Sequence, residues 1–239
     1  MIIPEKTDLI LGRNSEPLIN TDDFKVITKS RILITGSKGS LGSELVRILE
    51  EIKAIFLATD INDCDVTNLE AVKNTIQDFQ PDLIVHLAAD KHAPSGELDP
   101  QKTFSINAIG TNNVIIAKDS TNSKVKSRIV LASTCKACDP ETVYGASKLI
   151  AERLILNDGN SIARFYNVVE TEGNVFEIWN RLQDSESIPV TPCRRYFISK
   201  AEAISLLIRT MALSLGDPLT FGRYTINPGP PIFIPDLAK

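Results

Sequence analysis

Residues 31–42, Arg-Ile-Leu-Ile-Thr-Gly-Ser-Lys-Gly-Ser-Leu-Gly, constrain the fold more than any other stretch of the chain. Ile32, Leu33 and Ile34 form a short apolar run, the pattern of a strand buried on both faces. Gly36, Gly39 and Gly42 follow three residues apart, with Ser37, Lys38, Ser40 and Leu41 between them. Leu41, Leu45, Ile48 and Ile52 then recur at steps of four, three and four, which predicts a helix with one apolar stripe. A glycine triplet by itself marks only a tight strand-to-helix turn. Strand, small-residue turn and helix in that order also leave the first-turn N–H groups free, and these make an anion site.

The rest of the chain repeats the alternation. Strands are predicted over residues 54–59, 82–88, 128–133 and 162–167, and helices over 69–79, 103–118 and 142–156. Thr67 and Glu70 have capping-box spacing at the start of the second helix, and Pro81 closes it. Strands alternating with helices imply an α/β fold, a Rossmann-type doubly wound parallel sheet with right-handed crossovers. We divide the chain into an N-terminal arm (1–29, polar and irregular), a dinucleotide-binding domain (30–167) and a small C-terminal lobe (168–239), which the family resemblance given below implies to be substrate-binding. Ligands of such sheets sit at the carboxyl ends of the strands. Those ends carry Gly36, Asp60, Ala88-Ala89, Ser133-Thr134 and Asn167.

Asp60 lies 18 residues beyond Gly42, the place of an acid that binds an adenine ribose. An acid there favours NAD, because it repels a 2′-phosphate, whereas Lys38 in the turn favours NADP. The cofactor is therefore NAD or NADP. Tyr144 and Lys148 stand four residues apart, on one face of the predicted helix 142–156, shortly after Ser133-Thr134. A phenol with a reference pKa of about 10 is a poor base at neutral pH. A lysine and an oxidised nicotinamide, both positive, lower that value. The phenol then takes a hydroxyl proton while hydride leaves for the cofactor.

Thr-Gly-x-x-Gly-x-x-Gly together with Tyr-x-x-x-Lys resembles the extended short-chain dehydrogenase/reductase superfamily. Within it, the chain is similar to the polysaccharide-biosynthesis branch of nucleotide-sugar epimerases and dehydratases, which includes UDP-N-acetylglucosamine 4,6-dehydratases. The stretch Ala88-Ala-Asp-Lys91-His-Ala-Pro94 with Glu97-Leu-Asp-Pro100 resembles that branch's Ala-Ala-x-Lys-His-Val-Pro…Glu-x-Asn-Pro. Asn107-Ala-Ile-Gly-Thr111, Ser133-Thr-Cys-Lys-Ala137, Arg164-Phe-Tyr-Asn-Val168 and Arg195-Tyr-Phe197 resemble its Asn-x-x-Gly-Thr, Ser-Thr-Asp-Lys-Ala, Arg-Phe-Gly-Asn-Val and Arg-Tyr-Phe. Leu11-Gly12-Arg13 resembles the segment before the nucleotide domain in longer, membrane-anchored relatives.

The resemblance implies oxidation of a UDP-N-acetylhexosamine at carbon 4, followed by dehydration or epimerisation, in surface-polysaccharide or glycan precursor synthesis. It implies Thr134, Cys135, Lys136, Tyr144 and Lys148 as the catalytic set. Gly36 to Gly42, Asp60, Asp65, Val66, Leu87, Ala88, Ala89 and Asn107, with Tyr144 and Lys148, would hold the cofactor. Lys91, Pro94, Asn167, Val190 and Arg195 would face the nucleotide sugar, with Arg195 suited to a diphosphate. A homo-oligomer is implied as well.

Cys135 departs from the pattern, since the dehydratases have an aspartate there. In their reaction that aspartate and the following lysine (Lys136) remove a proton at carbon 5 and protonate the hydroxyl leaving carbon 6. A thiol is a far weaker acid than a carboxyl, with reference values of about 8.5 and about 3.9. Oxidation and reduction at carbon 4 need only Thr134, Tyr144 and Lys148. Asp60 also comes within five residues of Asp65, a layout that resembles the dTDP-sugar reductases, and Pro189-Val-Thr-Pro-Cys-Arg194 is a compressed loop. A nucleotide-sugar ketone reductase and a non-catalytic dinucleotide sensor are the competing readings.

Other classes are disfavoured by composition. A net charge of −4 argues against nucleic acid as a partner. No apolar run reaches the roughly 20 residues of a membrane helix, and the first residues lack a signal-peptide pattern. Four cysteines without an export signal read as reduced thiols of a cytoplasmic protein. Cys135 and Cys138 alone cannot close a zinc site, so no metal is assigned. His86, inside an apolar strand run, reads as a core residue.

Overall fold

The computed structural model describes residues 4–18, 20–120, 126–182, 187–217 and 219–238. In chain order the first half comprises α1 (Pro4–Leu11), α2 (Thr21–Ile27), β1 (Arg31–Thr35), α3 (Ser40–Glu51), β2 (Ile55–Thr59), α4 (Leu69–Phe79) and β3 (Leu83–His86). There follow α5 (Ala93–Leu98), α6 (Pro100–Phe104), a π-helical turn (Ser105–Ile109), α7 (Gly110–Ser120), β4 (Arg128–Thr134), a 3-10 turn (Cys135–Ala137), α8 (Val143–Asn157) and β5 (Ser161–Phe165). The remainder is β6 (Asn167–Val168), α9 (Val175–Arg181), β7 (Arg194–Arg195), β8 (Phe197–Ile198), α10 (Lys200–Gly216), β9 (Arg223–Tyr224), β10 (Ile232–Phe233) and α11 (Ile234–Leu237).

Among the described residues the main sheet has six strands in the order β2-β1-β3-β4-β5-β9, all parallel. Alternation along each strand sends its side chains to two different cores. Ile32, Ile34, Leu83, Val85 and Val130 pack with Leu45 and Leu49 of α3 and Leu207 and Met211 of α10. Leu33, Ile84, Ile129 and Leu131 pack on the other face with Val72 and Ile76 of α4, Val114 of α7 and Ile155 of α8. Helices cover both faces, so the middles of β1, β3 and β4 present apolar side chains to both, as the sequence reading expects for Ile32–Ile34. The order steps outward from β1 in both directions, and the crevice between the β1 and β3 ends is the switch point where ligands of such sheets bind.

A third core of Leu11, Val169, Trp179, Phe197 and Ile234 builds a small lobe beside the carboxyl ends of the strands. The residues beyond 168 thus serve two layers: α9, β7, β8, β10 and α11 belong to the lobe, whereas α10 and β9 join the sheet.

Three local expectations are corrected. Residues 1–29 are not irregular throughout, because α1 packs Leu11 into the lobe core and α2 packs Ile27 under the sheet. Thr67 does not cap α4. Asn68 does, its Oδ1 accepting from Glu70 N (3.1 Å) and Ala71 N (3.2 Å), while the Thr67 hydroxyl turns back to Asp65 (2.8 Å). The strand expected over 162–167 ends at Phe165, and Asn167–Val168 pairs with β8 instead. That switch ties the main sheet to the lobe.

Candidate active site

A cavity of about 770 Å³ lies over the carboxyl ends of the strands and reaches into the lobe. Its floor is the glycine turn. Gly36 has φ +71°, and a Cβ there would sit 2.6 Å from Ala88 N. A Cβ on Gly42 would sit 2.5 Å from Gly36 O, so α3 presses directly against the turn. α3 starts after Gly39 with no side chain capping it, which leaves its first N–H groups available over the cavity. This cradle, which any side chain would fill, fits the pyrophosphate of a dinucleotide.

Asp60 ends β2 beside the turn. Its Oδ2 accepts from Lys38 N (3.0 Å) and its Oδ1 from Ile61 N (2.9 Å), and both Asp60 and Lys38 line the cavity. Asp65, Val66, Leu87, Ala88 and Ala89 complete this end of the wall, with Gly39, Ser40 and Leu41.

Opposite them stand Thr134, Lys136, Tyr144 and Lys148. Thr142 caps α8, accepting from Gly145 N at 3.1 Å, and so fixes where the helix begins. A Cβ on Gly145 would lie 2.7 Å from Lys136 O, and the glycine therefore lets α8 close onto the Thr134–Lys136 turn. Burial pushes the Tyr144 phenol up to about 12, against the hydrogen bond from Thr134 that lowers it. Burial brings the fully enclosed Lys148 ammonium down to about 8, although the Glu152 carboxylate one turn further along favours its charge. Burial also lowers Lys136; Cys135 opposes that shift and Arg195 adds to it.

Lys136 Nζ reaches Asn167 Oδ1 at 3.4 Å, and Asn167 Nδ2 donates to Tyr196 O at 2.8 Å. Asn167, Lys91 and Arg195 all line the cavity at the lobe end. Lys91, Lys136 and Arg195 thus line the wall with Glu172, whereas Asp60, Asp65 and Lys38 line it at the β2 side.

Five sequence candidates stand off the wall. Ser37 is buried beneath the turn, its N–H donating to Thr59 O at 3.0 Å. Asn107 is fully buried and works from behind. It accepts from Asp90 N (2.9 Å) and donates to Asp90 O (2.9 Å) and Ser147 Oγ (3.0 Å). Pro94 sits in the first turn of α5, and Val190 is exposed between the lining residues Pro189 and Thr191. Cys135 is half-buried and, unlike its neighbour Lys136, does not line the cavity. It and Cys138 are free thiols, and Cys138 Sγ accepts from Arg164 Nη1 at 2.9 Å.

Residues 171–174 also line the cavity and were not singled out from the sequence. Glu172 N donates to Ser40 Oγ (3.2 Å) and Glu172 O accepts from Lys91 Nζ (3.0 Å), so this segment bridges the glycine turn and Lys91. The available signal was Asn174, which caps α9 by accepting from Glu177 N (2.9 Å). Pro189, Thr191 and Cys193, in the compressed loop 189–194 singled out from the sequence, also line the cavity.

The model of the family described as polysaccharide biosynthesis protein matches residues 50–239, most of the chain. The chain belongs to that family. The capsular polysaccharide biosynthesis protein CapD of Staphylococcus aureus is 31% identical, over 96% of this chain and 43% of CapD. A UDP-N-acetylglucosamine 4,6-dehydratase (inverting) of Campylobacter jejuni is 29% identical over 89% of this chain and 71% of its own length. The chain spans less than half the length of CapD and of its Bacillus subtilis counterpart EpsC, of which it covers 44%. Among solved structures, Pen from Bacillus thuringiensis superposes with a TM-score of 0.75 at 25% identity, over 89% of this chain and 73% of that one. WbmH of Bordetella bronchiseptica, solved in complex with NAD+, shares the fold at 21% identity with a TM-score of 0.69, over 87% and 79% of the two chains. Family membership thus agrees with the fold and the strand-end cavity. Among the described residues no helix is long and apolar enough to cross a membrane.

Proposed function

We propose that this family member is an NAD(P)-dependent enzyme that oxidises a UDP-N-acetylhexosamine at carbon 4, leading to epimerisation or dehydration in surface-polysaccharide or glycan precursor synthesis. One observation carries the reading: Tyr144 and Lys148 share a single cavity with the glycine cradle. The 4,6-dehydratase relative and the NAD+ complex of a fold neighbour support it.

In this reading Gly36, Gly39, Ser40, Leu41 and Gly42 hold a pyrophosphate, Asp60 holds the adenine ribose, and Asp65, Val66, Leu87, Ala88 and Ala89 hold the rest of the dinucleotide. When bound, NAD(P) supplies a hydride acceptor and a positive charge near the phenol. Tyr144 is the proton acceptor for the carbon-4 hydroxyl, with Thr134 holding that hydroxyl. A phenol raised to about 12 by burial cannot accept a proton at neutral pH, so cationic neighbours must bring it down, and Lys148 is the resident one. Lys91, Asn167 and Arg195 bind the nucleotide diphosphate and sugar. In the dehydration outcome Lys136, whose charge burial disfavours, takes the carbon-5 proton; epimerisation at carbon 4 does not call on it. Residue 135, next to Lys136, is a cysteine and not a carboxylic acid that would protonate a leaving hydroxyl, which favours epimerisation over dehydration.

A ketone reductase is the second reading. It is supported by the 33% identity over 142 residues to dTDP-4-dehydrorhamnose reductase of Aggregatibacter actinomycetemcomitans, over 53% of this chain and 47% of that protein. The test is incubation with UDP-N-acetylglucosamine and catalytic NAD or NADP, read by mass spectrometry and proton NMR. Unchanged mass with new ring couplings is the epimerase outcome and loss of water the dehydratase outcome. Consumption of NADPH only with a keto sugar moves the assignment to the reductase. The Tyr144→Phe variant is expected to lose at least about 100-fold in kcat. Unchanged turnover in that variant removes the mechanism. Light scattering on the purified chain reads the homo-oligomer that belongs to this reading.

A further inference from the structure

Behind the cavity wall a series of buried side chains runs from the glycine turn to the backbone of Tyr144. Thr35, the residue before Gly36, places its hydroxyl 2.7 Å from His86 Nδ1. His86 Nε2 lies 3.1 Å from the Thr111 hydroxyl oxygen. The Thr111 hydroxyl donates to Asn107 O at 2.7 Å, so its hydrogen is committed and its oxygen accepts from His86. Nε2 therefore carries the imidazole hydrogen, and Nδ1 accepts from Thr35. The Thr35 oxygen in turn accepts from Ala88 N at 3.4 Å. At the other end, Asn107 Nδ2 donates to Ser147 Oγ, which donates to Tyr144 O at 2.9 Å. Asn107 lies within the π-helical turn before α7.

Thr35, His86, Asn107, Thr111 and Ser147 are all buried, and none of them lines the cavity. Each bond fixes the direction of the next, so the series has a single arrangement. It joins β1, β3, the π turn, α7 and α8, and β1 and α8 carry the two halves of the site. Burial keeps the His86 ring neutral, its pKa down at about 3, which preserves that arrangement across the working pH range.

We propose that this series sets the spacing between the dinucleotide cradle and Tyr144, with Thr111 and His86 as positioning residues for the activity proposed above. Misplacing a reacting group by about an ångström costs on the order of 100-fold in rate. A positioning residue therefore lowers kcat and leaves KM and the wall chemistry in place.

The test compares Thr111→Val, which is close in shape but lacks the hydroxyl, with Thr111→Ser, which keeps it. Thr210→Val is the control. It removes an equally buried hydroxyl bonded to Leu206 O (2.8 Å) on α10, away from the series. With UDP-N-acetylglucosamine and NAD(P), Thr111→Val is expected to lower kcat at least about tenfold with KM within about threefold. Thr111→Ser and Thr210→Val stay within about twofold of wild type. Hydrogen exchange on the intact chain is read alongside. Thr111→Val speeds exchange at both residues 36–42 and 143–148, and the other two variants do not. Equal kcat losses in Thr111→Val and Thr210→Val, or faster exchange around residue 111 alone, overturn the proposal. A wild-type chain without turnover removes the function proposed above, and the exchange pattern then decides the positioning role by itself.

Discussion

Lys148 lines the cavity yet is almost wholly buried, and holding an ammonium there costs stability. Its pKa falls from 10.5 to about 8, so between those values the unfolded chain binds more protons than the folded one. Stability therefore rises with pH across that window, and below pH 8 the whole cost of burying the charge is present. Lys148→Met is expected to raise stability at pH 7 by on the order of 2–3 kcal/mol, a gain that shrinks as pH approaches 10.5. Denaturant titrations at pH 7 and pH 10 check it; a gain independent of pH would mean the lysine is not buried as a charge. His86 works in the acid range with the same sign. Its folded value of about 3 lies below the unfolded 6.5, so stability is lost as pH falls from 6.5 towards 3. From pH 6.5 to 5, before the carboxylates titrate, the loss is expected at about 1–2 kcal/mol, and His86→Gln flattens this part of the curve. Neither shift is written in the sequence, because a lysine on a helix and a histidine in a strand acquire them only through what covers them.

At the scale of single elements, the glycine turn is the part with least tolerance. A methyl at Gly36 meets backbone rather than a flexible side chain and also demands φ +71° of an L residue. Gly36→Ala is expected to lower stability by more than about 2 kcal/mol and to abolish NAD(P) binding measured by calorimetry. The α10 cap is a separate device. The Ser199 side chain accepts from Glu202 N (3.0 Å) while Glu202 Oε2 accepts from Ser199 N (2.8 Å). Ser199→Ala is expected to cost about 1–2 kcal/mol, seen as a lower thermal midpoint with kcat unchanged. The strands, the glycine turn and the helix that carries Tyr144 were legible from periodicity. The Ser199–Glu202 box has the same spacing as the one expected at Thr67–Glu70, yet only Ser199 caps, because Asn68 stands one residue closer to its helix. Spacing names candidates for a cap; backbone geometry chooses one.

Across the molecule, Glu152 joins four elements. From α8 it accepts from Ser133 Oγ (2.7 Å) on β4, from Arg164 Nε (2.9 Å) on β5 and from Arg223 Nε (3.0 Å) on β9. Burial acts against its charge, but these bonds outweigh it and hold the carboxyl below its usual range. Glu152→Gln leaves two guanidinium groups short of their partner and is expected to cost about 3–5 kcal/mol in chemical denaturation. A loss under about 1 kcal/mol would mean that the arginines find solvent instead. On the far side, Arg13 pairs with buried Glu202, Ser15 Oγ meets Ser199 Oγ at 2.6 Å, and Leu18 N donates to Ser205 Oγ at 2.8 Å. The segment after α1 is thereby fastened to α10.

The sequence by itself determined the doubly wound class, the glycine turn between strand and helix, and the placing of Tyr144 and Lys148 on one helix. These depend on periods of two and 3.6 and on residues close together in the chain. Tertiary structure alone decided that Cys135, Pro94, Val190, Ser37 and Asn107 stand off the wall while residues 171–174 cross it. It also decided that His86 bridges the Thr35 and Thr111 hydroxyls and that α10 packs on the sheet. Such facts rest on contacts between residues far apart in sequence, set by the joint packing of three cores, and no local pattern encodes that packing.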